Sequence, residues 1–166
     1  MKVVIVGCGR VGAMLAGALD AAGNDVSVID EATLAFDRLP SSFRGNAIRG
    51  NGTDEAVLRR AGTQDADLFV AMTEGDNRNV MSAQLATEMF QVGRVIAKIN
   101  DPVRAEAYAD LGIATVCRTN LMTDAILGFM GLPDSGTPDV RVALSPHSGA
   151  DHPLASSGAA VAAREA

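Results

Sequence analysis

The chain predicts an α/β fold: a Rossmann-like doubly wound parallel sheet of order 3-2-1-4-5-6, followed by a disordered C-terminal tail. Three observations carry this prediction. An apolar run, Val3-Val4-Ile5-Val6, leads directly into Gly7-Cys8-Gly9-Arg10-Val11-Gly12, a GxGxxG pattern. A second run, Val26-Ser27-Val28-Ile29, closes on Asp30, eighteen residues after Gly12. Strand-like and helix-like segments then alternate through the first two-thirds of the chain. Such alternation implies right-handed βαβ units and a sheet covered on both faces.

The elements follow in order. Strands are expected near Val3–Val6, Val26–Ile29, Ala47–Arg49, Leu68–Met72, Val95–Ile99 and Thr115–Cys117. Leu68-Phe69-Val70-Ala71-Met72 is continuously apolar, as a central strand buried on both faces should be. Helices are expected at Val11–Ala22, Thr33–Leu39, Asp54–Ala61, Asn77–Phe90, Pro102–Leu111 and Leu121–Met130. Gly23, Gly62 and Gly112 stand where helices should end. Thr53 is expected to cap the third helix, whose first turn holds Asp54 and Glu55. Asp101-Pro102 reads as an N-cap followed by a proline at the first helical position.

After Leu132 the composition changes. Four of the six prolines lie beyond it, among Ser, Gly, Ala and Asp with little periodicity. Residues 1–132 are therefore read as one nucleotide-binding domain and residues 133–166 as a mostly disordered tail, with a short strand expected near Val140–Leu144.

The glycine turn has a physical rationale at each position. Gly7 permits the tight strand-to-helix turn, Gly9 lets a phosphate approach the backbone, and Gly12 lets the first helix pack close to the sheet. Free N–H groups at the helix start then face the phosphates. Asp30 can accept hydrogen bonds from both hydroxyls of an adenosine ribose and would repel a 2′-phosphate. NAD or an adenine nucleotide is thus favoured over NADP. Cys8 reads either as a thiol activated at a helix N-terminus or, the favoured alternative, as a small residue filling the turn.

Composition narrows the function classes. The 166 residues suffice for one ordinary core, and with 48% hydrophobic but only 4% aromatic residues that core must be aliphatic. A net charge of -6 without a basic stripe argues against nucleic acid. The apolar runs are too short and interrupted for direct membrane insertion, and no signal-peptide pattern follows Met1-Lys2. A cytoplasmic protein is expected. Two cysteines fit a reducing compartment, and the expected strand order separates Cys8 from Cys117 by three strand spacings, roughly 14 Å, too far for a disulfide.

Three further segments accompany the glycine turn. They are Gly50-Asn51-Gly52-Thr53-Asp54 with Leu58-Arg59-Arg60-Ala61-Gly62, Ala66 to Thr73 with Asp76-Asn77-Arg78-Asn79, and Ala97-Lys98-Ile99-Asn100-Asp101-Pro102. With them, residues from Met1 to about Met130 resemble the N-terminal nucleotide-binding (RCK or KTN) domain of Trk/Ktr-type potassium-uptake regulatory subunits. The resemblance implies a cytoplasmic subunit, peripheral at the inner face of the cell membrane, that gates a potassium-transporter membrane subunit on binding NAD(H) or ATP/ADP. It implies a homo-oligomer, or a hetero-oligomer with a related RCK subunit.

The resemblance also assigns site residues. Gly7, Cys8, Gly9, Arg10, Val11 and Gly12 would form the phosphate turn and Asp30 would bind ribose, with the adjacent Glu31 also counted as cofactor-binding. Asn51, Gly52 and Thr53 would flank adenine. Thr73 would face the glycine loop, with Asp76 and Asn77 opening the next helix. Lys98 would face the phosphates or the nicotinamide side. Arg10 would read a terminal phosphate, although a solvated loop arginine fits its position equally well. Cys117-Arg118-Thr119-Asn120 departs from the proline-glutamate pair common in relatives, so no divalent-ion site is expected.

An NAD-dependent oxidoreductase fragment and a generic adenine-nucleotide module are the alternatives. An oxidoreductase needs a placed acid or base and room for substrate. Here the only histidines, His147 and His152, lie in the tail, and no length remains for a substrate domain. A sensor rather than an enzyme is expected. Arg59 and Arg60 are expected on a solvated helix face, and the methionines at 81, 89, 122 and 130 in the core or at helix interfaces.

Overall fold

The computed structural model describes residues 1–110, 113–137 and 140–141. The strands are β1 (Lys2–Val6), β2 (Asp25–Asp30), β3 (Asn46–Arg49), β4 (Leu68–Ala71), β5 (Val95–Ile99), β6 (Ala114–Cys117) and β7 (Val140–Arg141). The α-helices are α1 (Arg10–Ala21), α2 (Glu55–Arg60), α3 (Asp76–Glu88), α4 (Pro102–Asp110) and α5 (Arg118–Phe129). Thr33–Arg38, expected as a helix, winds as a 3-10 helix. The sheet order is β3-β2-β1-β4-β5-β6-β7. The first six strands are parallel, as the alternating pattern predicts. The seventh pairs antiparallel with β6, Val116 opposite Val140, and falls within the segment where a short strand is expected. Gly112 and the rest of the expected tail, from residue 142, lie outside the described residues.

Strand alternation sorts the core into two layers. Val4, Val6, Ile29, Phe69, Ala71, Ala97 and Ile99 face α2, α3 and α4, where Leu58, Val80, Ala83, Ala86 and Ala105 meet them. Val3, Ile5, Val26, Val28 and Val70 face α1, packed on Ala13 and Ala16. Small residues on the inner faces of α1 and α3 let both helices sit close to the sheet. Both cysteines are free and buried.

Several local expectations change. Asp54, not Thr53, caps α2: its carboxylate accepts from the Ala56 and Val57 amides at 2.7 and 3.2 Å. Thr53 instead donates from its amide and hydroxyl to the Asn51 side chain, which claims it for the turn after β3. Arg59 and Arg60 are not merely solvated. Arg59 pairs with Glu55 at 2.6 Å and lies over the Phe90 ring, and Arg60 donates to the Arg49 carbonyl. Met81, Met89, Met122 and Met130 are each more than half exposed, so none is in the core of this chain. No helix among the described residues is long and apolar enough to cross a membrane.

Candidate functional site

The sheet ladder continues past β1 into the glycine turn. The Gly7 amide donates to the Ile29 carbonyl at 2.7 Å, and the Met72 amide to the Val6 carbonyl at 2.7 Å. Gly7 has φ +106°, a conformation that suits glycine, and a Cβ there would press on the Met72–Thr73 peptide at 2.8 Å. A Cβ on Gly12 would collide with the Gly7 carbonyl, so α1 can begin this close to the turn only with glycine at that position. Gly9 differs: a Cβ there would meet nothing within 4 Å. Its missing side chain leaves room in front of the turn.

Asp30 ends β2 beside this turn. One carboxylate oxygen accepts from the Cys8 amide at 2.8 Å and the other from the Ala32 amide at 2.9 Å. The two bonds fix the carboxylate while leaving lone pairs for a ligand hydroxyl. The Gly50 amide donates to the Asp30 carbonyl at 2.9 Å and carries the third strand's end to the same place.

These ends enclose one cleft. It is lined by Gly7 and Gly9 of the turn, Asp30 and Glu31 after β2, Asn51, Gly52 and Thr53 after β3, and Thr73 after β4. Eight of the residues singled out in the sequence thus converge. Glu74, Arg78 and Ser82 line the cleft as well and were not singled out for it. Ser82 is fully buried and donates to the Gly52 carbonyl at 2.9 Å, which ties α3 to the third strand's turn.

Thr73 is held by a residue that sequence reasoning missed. Asn79, fully buried in α3, accepts from the Thr73 amide and hydroxyl, each at 2.7 Å. Its amide nitrogen donates to the Thr73 carbonyl at 3.1 Å and the Lys98 carbonyl at 2.8 Å. All of its polar capacity is spent on joining the ends of β4 and β5. A polar residue at a core-facing position of a helix was the available signal.

The remaining singled-out residues do not line the cleft. Cys8 is buried against the α1 side of the sheet. Burial, then the neighbouring Asp30 carboxylate, push its thiol pKa up, with Arg38 opposing them weakly. The buried side chain fills the turn on the α1 side of the sheet, which fits the small-residue reading. Arg10 and Val11 are exposed at the start of α1, and no hydrogen bond or ion pair engages Arg10 among the described residues. Gly12 lies beneath the turn.

Gly75 takes the N-cap position of α3, and Asp76, its first residue, turns away from the cleft. The Asp76 carboxylate accepts from the Asn100 amide at 3.0 Å and the Asn100 side chain at 2.7 Å. Asn77 is exposed and accepts from Arg104 at 3.0 Å. Lys98 is only 8% exposed, on the α1-facing side of β5. Desolvation lowers its pKa; Glu74 and Asp76 counteract this, while Arg118 adds to it. Lys98 is not among the residues that line the cleft.

A doubly wound sheet with a glycine turn and a following acid on one crevice defines a Rossmann-like domain. Within that class the assignment is specific: the TrkA-N domain model matches residues 3–119, and the chain belongs to that family. It is 46% identical over 138 residues to the Trk system potassium uptake protein TrkA of Streptomyces coelicolor, covering 83% of this chain and 61% of that protein. The chain thus spans about three-fifths of that relative's length. Among solved structures it is similar to the TrkA-N domain of the inner membrane protein ybaL from Escherichia coli, with TM-score 0.69, 19% identity, and 78% and 96% of the two chains covered. It is also similar to the Shewanella denitrificans Kef CTD in AMP-bound form, with TM-score 0.63, 23% identity, and 79% and 82% covered.

Proposed function

We propose that this chain is a nucleotide-sensing regulatory subunit of a potassium uptake system. The convergence of the glycine turn and the fixed Asp30 carboxylate on one cleft carries this reading. An adenine nucleotide with free ribose hydroxyls binds there. Its phosphates lie on the turn at Gly9, its ribose at Asp30 and its base beside Asn51, Gly52 and Thr53. Arg10 and Lys98 act at the phosphate and distal ends, outside the cleft wall. The ligand is NAD(H) or ATP/ADP, and the protein is a sensor rather than an enzyme.

Family membership supports the potassium link, since the Streptomyces relative is named a Trk potassium uptake protein. The partner is a potassium-transporter membrane subunit, at the inner face of the cell membrane. The mechanism follows from linkage: a nucleotide regulates transport only through different affinities for two arrangements of the assembled subunits.

Calorimetric titration against NAD, NADH, ATP, ADP and cyclic di-AMP tests the first step. At least one adenine nucleotide should bind, and Asp30→Ala should weaken it about tenfold, the scale of losing charge-assisted hydrogen bonds. No binding by any of them, or equal binding by the variant, would remove this reading of the cleft. The transport role is tested by deletion at limiting external potassium: unchanged uptake, with no related subunit present, counts against it.

A further inference from the structure

The charges on the cleft wall are unbalanced. Asp30, Glu31 and Glu74 are its acids, and Arg78 is the only cation among the described residues that line it. A ligand carrying phosphate must enter against three carboxylates with a single guanidinium to meet it. That guanidinium is committed elsewhere. Arg78 Nη1 lies 3.4 Å from the Glu31 carboxylate, and both side chains are about half exposed.

The pair spans the crevice. Glu31 follows β2, Arg78 belongs to the helix that follows β4, and β1 with its glycine turn lies between those two strands. The Arg78 side chain also folds back over the start of its own helix, where a Cβ on Gly75 would approach its Nε to 3.2 Å. The guanidinium thus lies at the cleft mouth while remaining about half open to solvent.

We infer that the Glu31–Arg78 pair is a strap across the nucleotide cleft, and that Arg78, once released from Glu31, is the cation that contacts the 5′-phosphate of the entering nucleotide. The inference rests on the nucleotide reading of this cleft and adds a residue and a closure to it. An exposed pair holds the strap weakly, so a phosphate can compete for the arginine. The exchange is one charge-assisted bond for another, which makes the strap selective for anionic ligands. Adenosine, which has no phosphate to replace Glu31, gains nothing from Arg78.

The test is a double-mutant cycle on the full chain, titrated with AMP and with adenosine. Arg78→Ala should weaken AMP about tenfold, the scale of one lost charge-assisted hydrogen bond, and leave adenosine within about twofold. Glu31→Gln should tighten AMP about threefold, since an exposed pair is all that is released. In the Arg78→Ala background that gain should vanish. Three outcomes overturn the inference: unchanged AMP affinity in Arg78→Ala, an equal loss for adenosine, or a Glu31→Gln gain that survives without Arg78. The last would mean that Glu31 acts only as a repelling charge. Failure of the wild-type chain to bind AMP or any of NAD, NADH, ATP, ADP and cyclic di-AMP would instead bring down the nucleotide reading, and the strap with it.

Discussion

Two glycines of the turn, three residues apart, are required for different reasons. At Gly12 a methyl group would strike the Gly7 carbonyl, and neither backbone can yield without moving α1 off the sheet. Gly12→Ala should therefore cost stability, about 1–3 kcal/mol, as overpacking does. At Gly9 the backbone is ordinary, φ -72°, and a methyl group would meet no protein atom within 4 Å. Gly9→Ala should keep stability within about 0.5 kcal/mol and weaken nucleotide binding. Urea midpoints and AMP titrations on both variants check the pair. Equal destabilisation would mean that Gly9 has a folding role that its surroundings do not reveal. Asp30 belongs to the same scale: two backbone amides orient its carboxylate, so the binding role proposed for it would cost little reorganisation.

Strand β5 buries a cation in the core. Ala97 and Ile99 pack into one layer of the core, while Lys98 points to the other face and is almost fully buried. Its lowered pKa is led by desolvation, which Glu74 and Asp76 offset only in part. Lys98→Met should therefore stabilise the domain, by about 1 kcal/mol or more, as replacing buried ionic groups often does. The sign of the pH dependence follows. The folded state binds the Lys98 proton less tightly than the unfolded state, so stability rises with pH between the lowered and the ordinary lysine pKa. The advantage of Lys98→Met should be full below that window and shrink as pH climbs through it. Chemical denaturation at neutral and alkaline pH would measure both. A less stable variant would show that the two acids more than compensate the buried cation. Helix α3 is a second case at this scale: Asn79 gives its side chain to Thr73 and to the Lys98 carbonyl, so one helix sets the ends of two strands.

Over the whole molecule the apolar surface is uneven. Of the residues of α5 only Asn120 is buried. Met122, Ile126 and Met130 are about 60% exposed and Phe129 is 93% exposed, while Val11 and Met14 of α1 are also open. A monomer in water rarely leaves a helix so uncovered. The occupant we propose is a second copy of this chain, or a related subunit, docked through α5. Light scattering at micromolar concentration should give at least a dimer mass, and Ile126→Asp with Phe129→Asp should lower it. An intact chain that remains monomeric with and without ADP would end this proposal.

The sequence alone determined the strand order, the glycine turn, the acid after β2 and the convergence of strand ends on one cleft. These follow from local rules: apolar runs of strand length, glycine where a turn needs it, and parallel strands joined by right-handed crossovers. The tertiary structure decided which side chains form the cleft wall. Arg78 meets Glu31 across 47 residues, and Asn79 meets the end of β5 across 19. Neither partner is set by periodicity, because both depend on how α3 is rotated and seated against the sheet. The same seating turned Asp76 to Asn100, and Lys98 on β5 is not among the residues of the cleft wall. Capping was likewise a geometric choice: Asn51 holds Thr53 in the preceding turn, leaving the cap of α2 to Asp54. Spacing places a residue on an element, but only the packing of elements fixes what its side chain meets.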